Sequence, residues 1–373
     1  MFNKTTKLLL AAMTAALLAG CQGMPTERGQ QYKDGELTSQ LVAVQRINLK
    51  GQPVNREDYL SQVLEVGNIS PSLYNRNGLT YHAISEWLDA GADVAKLSSF
   101  GINAYQMKGT DGYGNVRFTG YYTPVIDARR QPDNEYKYPI YRLPSGKKRI
   151  ERAEIYGGAL TGQGLELAYS NSLIDNFMME VQGSSYIDFA DGSPLNFFAY
   201  AGKNGYPYVS IGRVLIDRGE IEKDKMSMQA IKSWVKSHDE ETVKELLGQN
   251  PSFVFFTPKG AAPVKGASGI PLIAQSSVAA DRRLVAPGTV ILAEVPLLTE
   301  SGEFSGKYDI RLMIALDVGG AIKGHHFDIY QGIGSHAGEL AGFYNHFGRV
   351  WLLSSPGDDM SALLSTIDTP PEQ

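Results

Sequence analysis

The chain holds a single cysteine in 373 residues, Cys21, so no internal disulfide braces it and the fold must rest on its own apolar core. Beyond Gly20 no apolar run approaches the roughly 20 residues needed to cross a bilayer, and the body of the chain is expected to be soluble. Lysine and arginine number 35 against 40 aspartates and glutamates, a formal net charge of −5. That balance argues against nucleic acid as a partner. The HExxH helix of zinc peptidases and the GxSxG elbow of serine esterases are both missing. His325 and His326 are adjacent, and neighbours on a strand point to opposite faces, so the pair does not suit one shared metal ion. Gly332-x-Gly334-x-x-Ala337 imitates a dinucleotide fingerprint, but no acidic residue follows about 20 positions later and no βαβ rhythm surrounds it. No cofactor and no metal are expected.

What is present begins at the N-terminus. Lys4 and Lys7 precede an apolar run from Leu8 to Gly20, the order of a secretory signal peptide over residues 1–20. Leu18-Ala19-Gly20-Cys21 resembles the bacterial lipobox, in which the cysteine is acylated and becomes the mature N-terminus; the other reading of a lone thiol is intermolecular pairing or a stray reactive group. Removing Lys4 and Lys7 would deepen the negative charge by two units. Gln22, where an Asp would favour inner-membrane retention, points to the outer membrane and its periplasmic face. Several acyl chains give a stable anchor where one gives a marginal one.

About 350 mature residues suit two domains better than one. The polar stretch 21–56 reads as a tether. Helical periodicity follows at Glu57 to Glu65 and Ala83 to Leu97, the second weakened by Gly91. From Phe100 to Pro258 the chain is rich in Tyr, Gly and β-branched residues, with hairpin markers at Asp111-Gly112, Asp191-Gly192 and Asn204-Gly205. Helices are expected at Asn171 to Val181, Ser227 to His238 and Glu240 to Leu247. Lys259 to Pro271 is a candidate linker. Beyond it the pattern is β: Val290 to Val295, Tyr308 to Val318, Phe327 to Tyr330 and Gly348 to Leu353. Alternation puts Asp317 on a face with Met313 and Ala315, opposite Leu312, Ile314 and Leu316. It puts Asp328 on a face with His326 and Tyr330, while Phe327 and Ile329 turn to the core.

The segment DVGGAIKGHHFDIYQGIGSHAG (317–338) packs carboxylates, histidines, a lysine and many glycines between strands. By itself it reads equally as hairpin turns shaped by glycine and capped by aspartate, or as polar groups converging on a site. The motifs FTGYYTP (118–124), YPIYR (138–142), VQGSSYIDF (181–189), YAGKNGYPY (200–208), MSMQAI (226–231), NPSFVFF (250–256), AADRR (279–283), DVGGAIKGHHFDIYQG (317–332) and GRVWLL (348–353) settle the choice. Over its mature length the chain resembles the membrane-bound lytic murein transglycosylase A family. Ser185 departs from it, standing where the family commonly has glycine.

That resemblance implies a mainly β protein with peripheral helices: a double-psi β-barrel from residues 57–124 and 266–373, with a second, smaller β domain, 125–265, inserted. It implies a C-terminal module of three aspartates, Asp281, Asp317 and Asp328, with Asp328 as the catalytic acid/base and Asp317 beside it. Asp281, next to Arg282, reads equally as a structural ion pair or a site residue. Substrate contacts are expected from Thr119, Gly120 and Tyr121, and from Gln182, Ser184, Ser227 and Gln229 of the insert. The 20 tyrosines suit sugar stacking, but β-rich chains favour Tyr anyway. The implied substrate is the peptidoglycan glycan strand; the lipobox adds the outer membrane as a partner through the N-terminal lipid, cell-wall synthesis complexes are candidate partners, and a monomer is the default.

The implied reaction needs one carboxyl group. It protonates the bridging oxygen and then accepts the proton of the muramic acid C6 hydroxyl, which attacks within the substrate and leaves a 1,6-anhydro end. An acid of this kind needs a raised pKa, from a neighbouring carboxylate or an apolar wall. The rivals are a two-carboxylate hydrolase using water and a non-lytic, expansin-like wall-binding protein.

Overall fold

The computed structural model describes residues 41–44, 47, 49–107, 115–146 and 149–358. Cys21, the signal peptide and the Asp111-Gly112 marker lie outside the described residues.

In chain order, β1 (Leu41–Val44) precedes helices α1 (Arg56–Ile69), α2 (Pro71–Arg76) and α3 (Gly78–Asp89), followed by β2 (Asn103–Met107), β3 (Asn115–Thr123) and β4 (Val125–Arg129). The middle of the chain carries β5 (Tyr138–Tyr141), α4 (Arg152–Tyr156), β6 (Glu166–Ser170), α5 (Leu173–Gln182), β7 (Ser185–Asp188), β8 (Asn196–Lys203), α6 (Ile211–Asp217), α7 (Met228–Lys236), α8 (Glu240–Gly248) and β9 (Val254–Pro258). Then come β10 (Ser277–Ala279), β11 (Val290–Leu298), β12 (Phe304–Asp317), β13 (His326–Ile333), α9 (Gly334–Phe343) and β14 (Asn345–Ser354).

The strands form two sheets. The larger runs β1-β2-β14-β11-β12-β10-β13-β3, and a further pairing of β14 with β3 closes β14, β11, β12, β10, β13 and β3 into a ring. Two of its ladders are parallel, β10 with β12 and β13 with β3. Parallel neighbours need a crossover rather than a hairpin, and between β3 and β13 that crossover contains the whole second sheet, ordered β5-β6-β4-β7-β8-β9.

Alternation fills the ring. Val116, Phe118, Val278, Ile291, Ala293, Met313, Ala315, Phe327, Ile329, Val350 and Leu352 form one buried cluster inside it. The opposite faces of β11, β12 and β14 pack Leu292, Leu312, Ile314, Leu316 and Trp351 against Tyr59, Ile84 and Trp87 of α1 and α3. Strands buried on both faces explain why 312–316 reads as an unbroken apolar run. Each such side chain, fully buried, contributes about 1.5–3 kcal/mol.

The second sheet is pinned by an ion pair. Arg152, 1% exposed, makes two hydrogen bonds to Glu180, at 2.9 and 2.8 Å, and donates to the carbonyls of Asn250 and Ser252. Val254 N completes the set by donating to Glu180. Removing one partner of such a pair would strand a buried charge, at a cost of about 3–5 kcal/mol.

Helix boundaries follow chemistry visible in the chain. Ser172, Ser227 and Asp239 cap α5, α7 and α8, and Gly183 ends α5 in the left-handed region. Elsewhere the expectation shifts. The helix expected from Ala83 stops at Asp89, because Gly91 takes φ +98°, and a 3₁₀ turn at Val94–Phe100 replaces its end. Asp191-Gly192 does mark a hairpin, between β7 and β8. Asn204 does not: its side chain donates to the Ile150 and Pro251 carbonyls and fastens the insert. The expected tether is shorter than 21–56, since β1 pairs with β2 and buried Asn55 donates to Ser276 Oγ at 2.9 Å and the Leu312 carbonyl at 2.7 Å. The candidate linker is also fastened: Lys265 bridges Pro271, and Gly266 comes so close to the Leu316 carbonyl that a Cβ would sit 2.6 Å from it.

Candidate active site

On β13, Phe327 and Ile329 enter the barrel core, so Asp328 between them faces outward. Its neighbour β3 obeys the same alternation: Val116 and Phe118 turn in, Thr119 and Tyr121 turn out. The parallel register sets Asp328 opposite Thr119 and Tyr330 opposite Tyr121. Tyr121 and Tyr330 then pack with Tyr186, Phe197 and Val264, which join this outer face to the insert.

Asp317 arrives by a different route. Strict alternation would point it into the barrel with Met313 and Ala315, where a carboxylate would find no partner. Against β10, however, Val278 pairs with Ala315 and Ala279 with Asp317, so β12 contains one extra residue. This bulge turns Asp317 to the outer face, correcting the alternation expected from sequence. On its other edge Ala279 pairs with Asp328, which sets the two aspartates on either side of one small residue.

The two carboxyls differ in surroundings. Asp317 is saturated with donors: Oδ1 accepts from Ala267 N at 2.8 Å and Val318 N at 2.9 Å, and Oδ2 accepts from Tyr121 OH at 2.9 Å. Burial raises its pKa against those hydrogen bonds. Asp328 Oδ1 lies 2.6 Å from Thr119 Oγ1, which in turn lies 2.8 Å from His326 Nε2. Burial pushes the Asp328 carboxyl up to about 6; the Asp317 carboxylate adds to the push, and a Thr119 hydrogen bond and the Arg117 guanidinium oppose it. Burial and Arg117 take His326 down to about 4. A carboxyl with that pKa is equipped to donate a proton near neutrality and take one back.

Residues 117–257 match the family model described as the MltA specific insert domain, and residues 276–354 match the 3D domain. The chain is 58% identical over 359 residues to membrane-bound lytic murein transglycosylase A of Escherichia coli (strain K12), covering 96% of this chain and 98% of that protein. The chain belongs to the membrane-bound lytic murein transglycosylase A family. The Vibrio cholerae serotype O1 member is 50% identical over 93% of this chain and 95% of its own length. Among solved structures, E. coli MltA with bound chitohexaose superposes with a TM-score of 0.84 at 59% identity, covering 89% of this chain and 99% of that one. A membrane-bound lytic murein transglycosylase from Agrobacterium tumefaciens superposes with a TM-score of 0.67 at 27% identity, over 85% and 98% of the two chains. The relatives carry "membrane-bound" in their names, and among the described residues no helix is long and apolar enough to cross a membrane.

The other expected site residues lie in varied places. Gly120 turns away from Asp328 and toward α9, where an added Cβ would meet Ala341 Cα at 2.8 Å. Asp281 pairs with Arg283 rather than Arg282: Arg283 donates to it from Nε and Nη2, and Gly324 N donates to Oδ2 at 2.9 Å. Those bonds, Arg283's first, hold its pKa well below the usual carboxylate range. Asp281 therefore clamps the loop between β12 and β13. Gln182, the last residue of α5, accepts from Tyr122 N at 3.1 Å and ties the insert to β3. Ser184, two residues on, is half-buried. Ser227 caps α7, accepting from Ala230 N at 3.1 Å. Gln229 lies against α9, its Nε2 3.3 Å from where a Gly342 Cβ would stand.

Sequence reasoning missed two participants. Arg117 stands two residues before Thr119 on the same strand face, a placement alternation could have given. Ala267 N, a donor to Asp317, carries no sequence signal, because only the fold brings it there. Among the described residues no group of three or more His, Cys, Asp and Glu could hold a metal ion.

Proposed function

We propose that this chain cuts the β-1,4 bond between N-acetylmuramic acid and N-acetylglucosamine in peptidoglycan by lytic transglycosylation, with Asp328 as the single acid/base. The reaction class follows from family membership. One observation carries the assignment of groups: of the two neighbouring carboxyls, Asp317 has both oxygens engaged by Ala267, Val318 and Tyr121, while Asp328 is the one whose pKa burial lifts to about 6. A two-carboxylate hydrolase needs a second working group as nucleophile or base, and Asp317 is already committed as an acceptor.

Asp328 protonates the bridging oxygen while the C1–O bond breaks. The C6 hydroxyl oxygen closes on C1, and its proton passes to the Asp328 carboxylate. The acid is regenerated, water is not consumed, and the new end is 1,6-anhydromuramic acid. An intramolecular nucleophile has a high effective molarity, which replaces an enzyme nucleophile. Asp317 supports the acid through its charge and holds Tyr121.

The glycan would lie along the outer face of Thr119, Tyr121 and Asp328, between a double-psi barrel of residues 57–124 and 266–373 and the insert of 125–265. Gln182, Ser184 and Gln229 would meet it from the insert side. Cys21 would carry the lipid that holds the protein to the outer membrane, facing the periplasm. Digestion of purified murein sacculi in ¹⁸O-labelled water tests the chemistry: mass spectrometry should find anhydro ends without heavy oxygen. Principal products with solvent oxygen at a free reducing end would make the hydrolase the better reading.

A further inference from the structure

The outer face around Asp328 differs from end to end. Strands β3 and β13 run parallel, so Arg117, Thr119 and Tyr121 stand level with His326, Asp328 and Tyr330. Asp328 therefore lies between an aromatic end and a cationic one. At the first, Tyr121 and Tyr330 pack with Tyr186 and Phe197. At the second, Arg117 stands two residues, about 7 Å, from the level of the acid. Strand β10 is antiparallel to β13 and pairs Ala279 with Asp328, so the chain leaving β10 runs toward this same end. Asp281 there accepts from Gly324 N, two residues before β13, and Arg282 follows it.

Neither guanidinium is satisfied within the protein. Arg117 donates from Nε to Asn345 Oδ1 at 2.9 Å, which steadies the group, and among the described residues nothing accepts from its Nη1 or Nη2. Arg282 has no hydrogen-bond or ion-pair partner among the described residues, and Asp281 is taken by Arg283. Both arginines are exposed. A cation beside a group that must start as an acid works against it, and Arg117 does oppose the rise in the Asp328 pKa. An anion on the ligand would offset that charge.

The strand offers one kind of anion. N-acetylglucosamine is uncharged, whereas muramic acid bears a lactyl ether whose carboxyl group is either free or amide-bonded to a peptide with carboxylates of its own. A planar guanidinium with Nη1 and Nη2 free matches a carboxylate. We propose that Arg117 and Arg282 form a carboxylate-binding end of the groove, which holds an acidic group borne by a muramic acid and so reads the strand by charge as well as by sugar. The inference rests on the reading of this face as the site of glycan cleavage. With the anion in place the positive charge beside Asp328 is offset, so a strand of the right chemistry makes the acid easier to keep protonated.

Binding to the full-length Asp328→Asn protein tests this with three probes: chitohexaose, which has no carboxylate, murein glycan strands freed of peptide, and strands with their peptides intact. The second bears lactyl carboxylates and the third peptide carboxylates in their place. Added to this host, Arg117→Gln should weaken one or both charged strands by about 10–100-fold, the worth of a charge-assisted hydrogen bond, and leave chitohexaose unchanged. Arg117→Lys, which keeps the charge and loses the fork, should fall between. Arg282→Gln breaks no bond described within the protein and should show the same selectivity. Loss confined to peptide-free strands assigns the lactyl carboxylate, and loss confined to peptide-bearing strands assigns the peptide. Equal losses on chitohexaose in both Gln variants, or undiminished binding of both charged strands, overturns the inference. Cleavage of strands by the Asp328→Asn host would instead remove the acid/base reading and leave the comparison of charged and uncharged probes standing.

Discussion

Tyr121 donates its phenol hydrogen to Asp317 at 2.9 Å, although β13 and β10 stand between their two strands in the sheet. The bond spans the face that carries Asp328 and fixes Asp317 in place. Burial, followed by the Asp317 charge, raises the Tyr121 pKa, so the phenol remains a donor at neutral pH.

Asp328→Asn should abolish nearly all cleavage of sacculi while leaving glycan binding intact. Loss of acid/base assistance alone is worth about 10²–10⁴ in rate. Asp317→Asn should lose less. Turnover and pull-down of sacculi, measured side by side, separate chemistry from binding.

The same Asp328→Asn variant should be more stable than the parent at pH 7–8 and only slightly so at pH 4. A carboxyl whose folded pKa of about 6 exceeds its unfolded value, about 3.9, costs the native state stability as pH rises between those values. The difference approaches about 2–3 kcal/mol above pH 6. Denaturant unfolding at the two pH values should show a gap that opens as pH rises; a constant gap would mean that Asp328 ionises as easily folded as unfolded.

Gly120→Ala should destabilise the fold by about 1–3 kcal/mol, the usual cost of overpacking. The new methyl would press on the Ala341 backbone at 2.8 Å, and α9 is already held close by Gly338, where a Cβ would come within 2.7 Å of the Tyr122 ring. Thermal unfolding measures the loss, and an unchanged midpoint would show that α9 moves freely away from β3.

Asp281→Ala should cost about 1–2 kcal/mol through the lost acceptor for Gly324 N and Arg283. Because the folded carboxyl titrates below its ordinary range, its contribution is complete above about pH 4 and fades as pH falls further. Activity should fall only as far as the loop before β13 loosens. A kcat loss matching Asp328→Asn in a folded protein would instead put Asp281 in the chemistry.

Cys21→Ala should prevent incorporation of a labelled fatty acid and release the protein from the membrane fraction. Undiminished labelling of the variant would defeat the lipobox reading.

Much of this was legible where local chemistry suffices. Phe327 and Ile329 are both core residues, so the outward direction of Asp328 follows from alternation. The caps Ser172, Ser227 and Asp239 announce helices within a residue or two. Asp317 was not legible in that way, because the bulge that turns it outward arises from pairing with β10, far away in sequence, and leaves no mark in 311–317. Lys259 to Pro271 read as loose for a related reason: prolines and glycines report local chain freedom and say nothing of Ala267 N reaching Asp317. The choice of Arg283 over Arg282 likewise depends on the loop's path rather than on adjacency.

Thr119 and Asp328 sit side by side in a parallel ladder, yet 209 positions of chain separate them. A polypeptide that folds as it emerges, N-terminus first, completes the insert before β13 exists to meet β3. Until then the insert is complete while Thr119 still lacks Asp328, the proposed acid, beside it. The pairing of Thr119 with the proposed acid is therefore among the last contacts of the barrel that the growing chain can make.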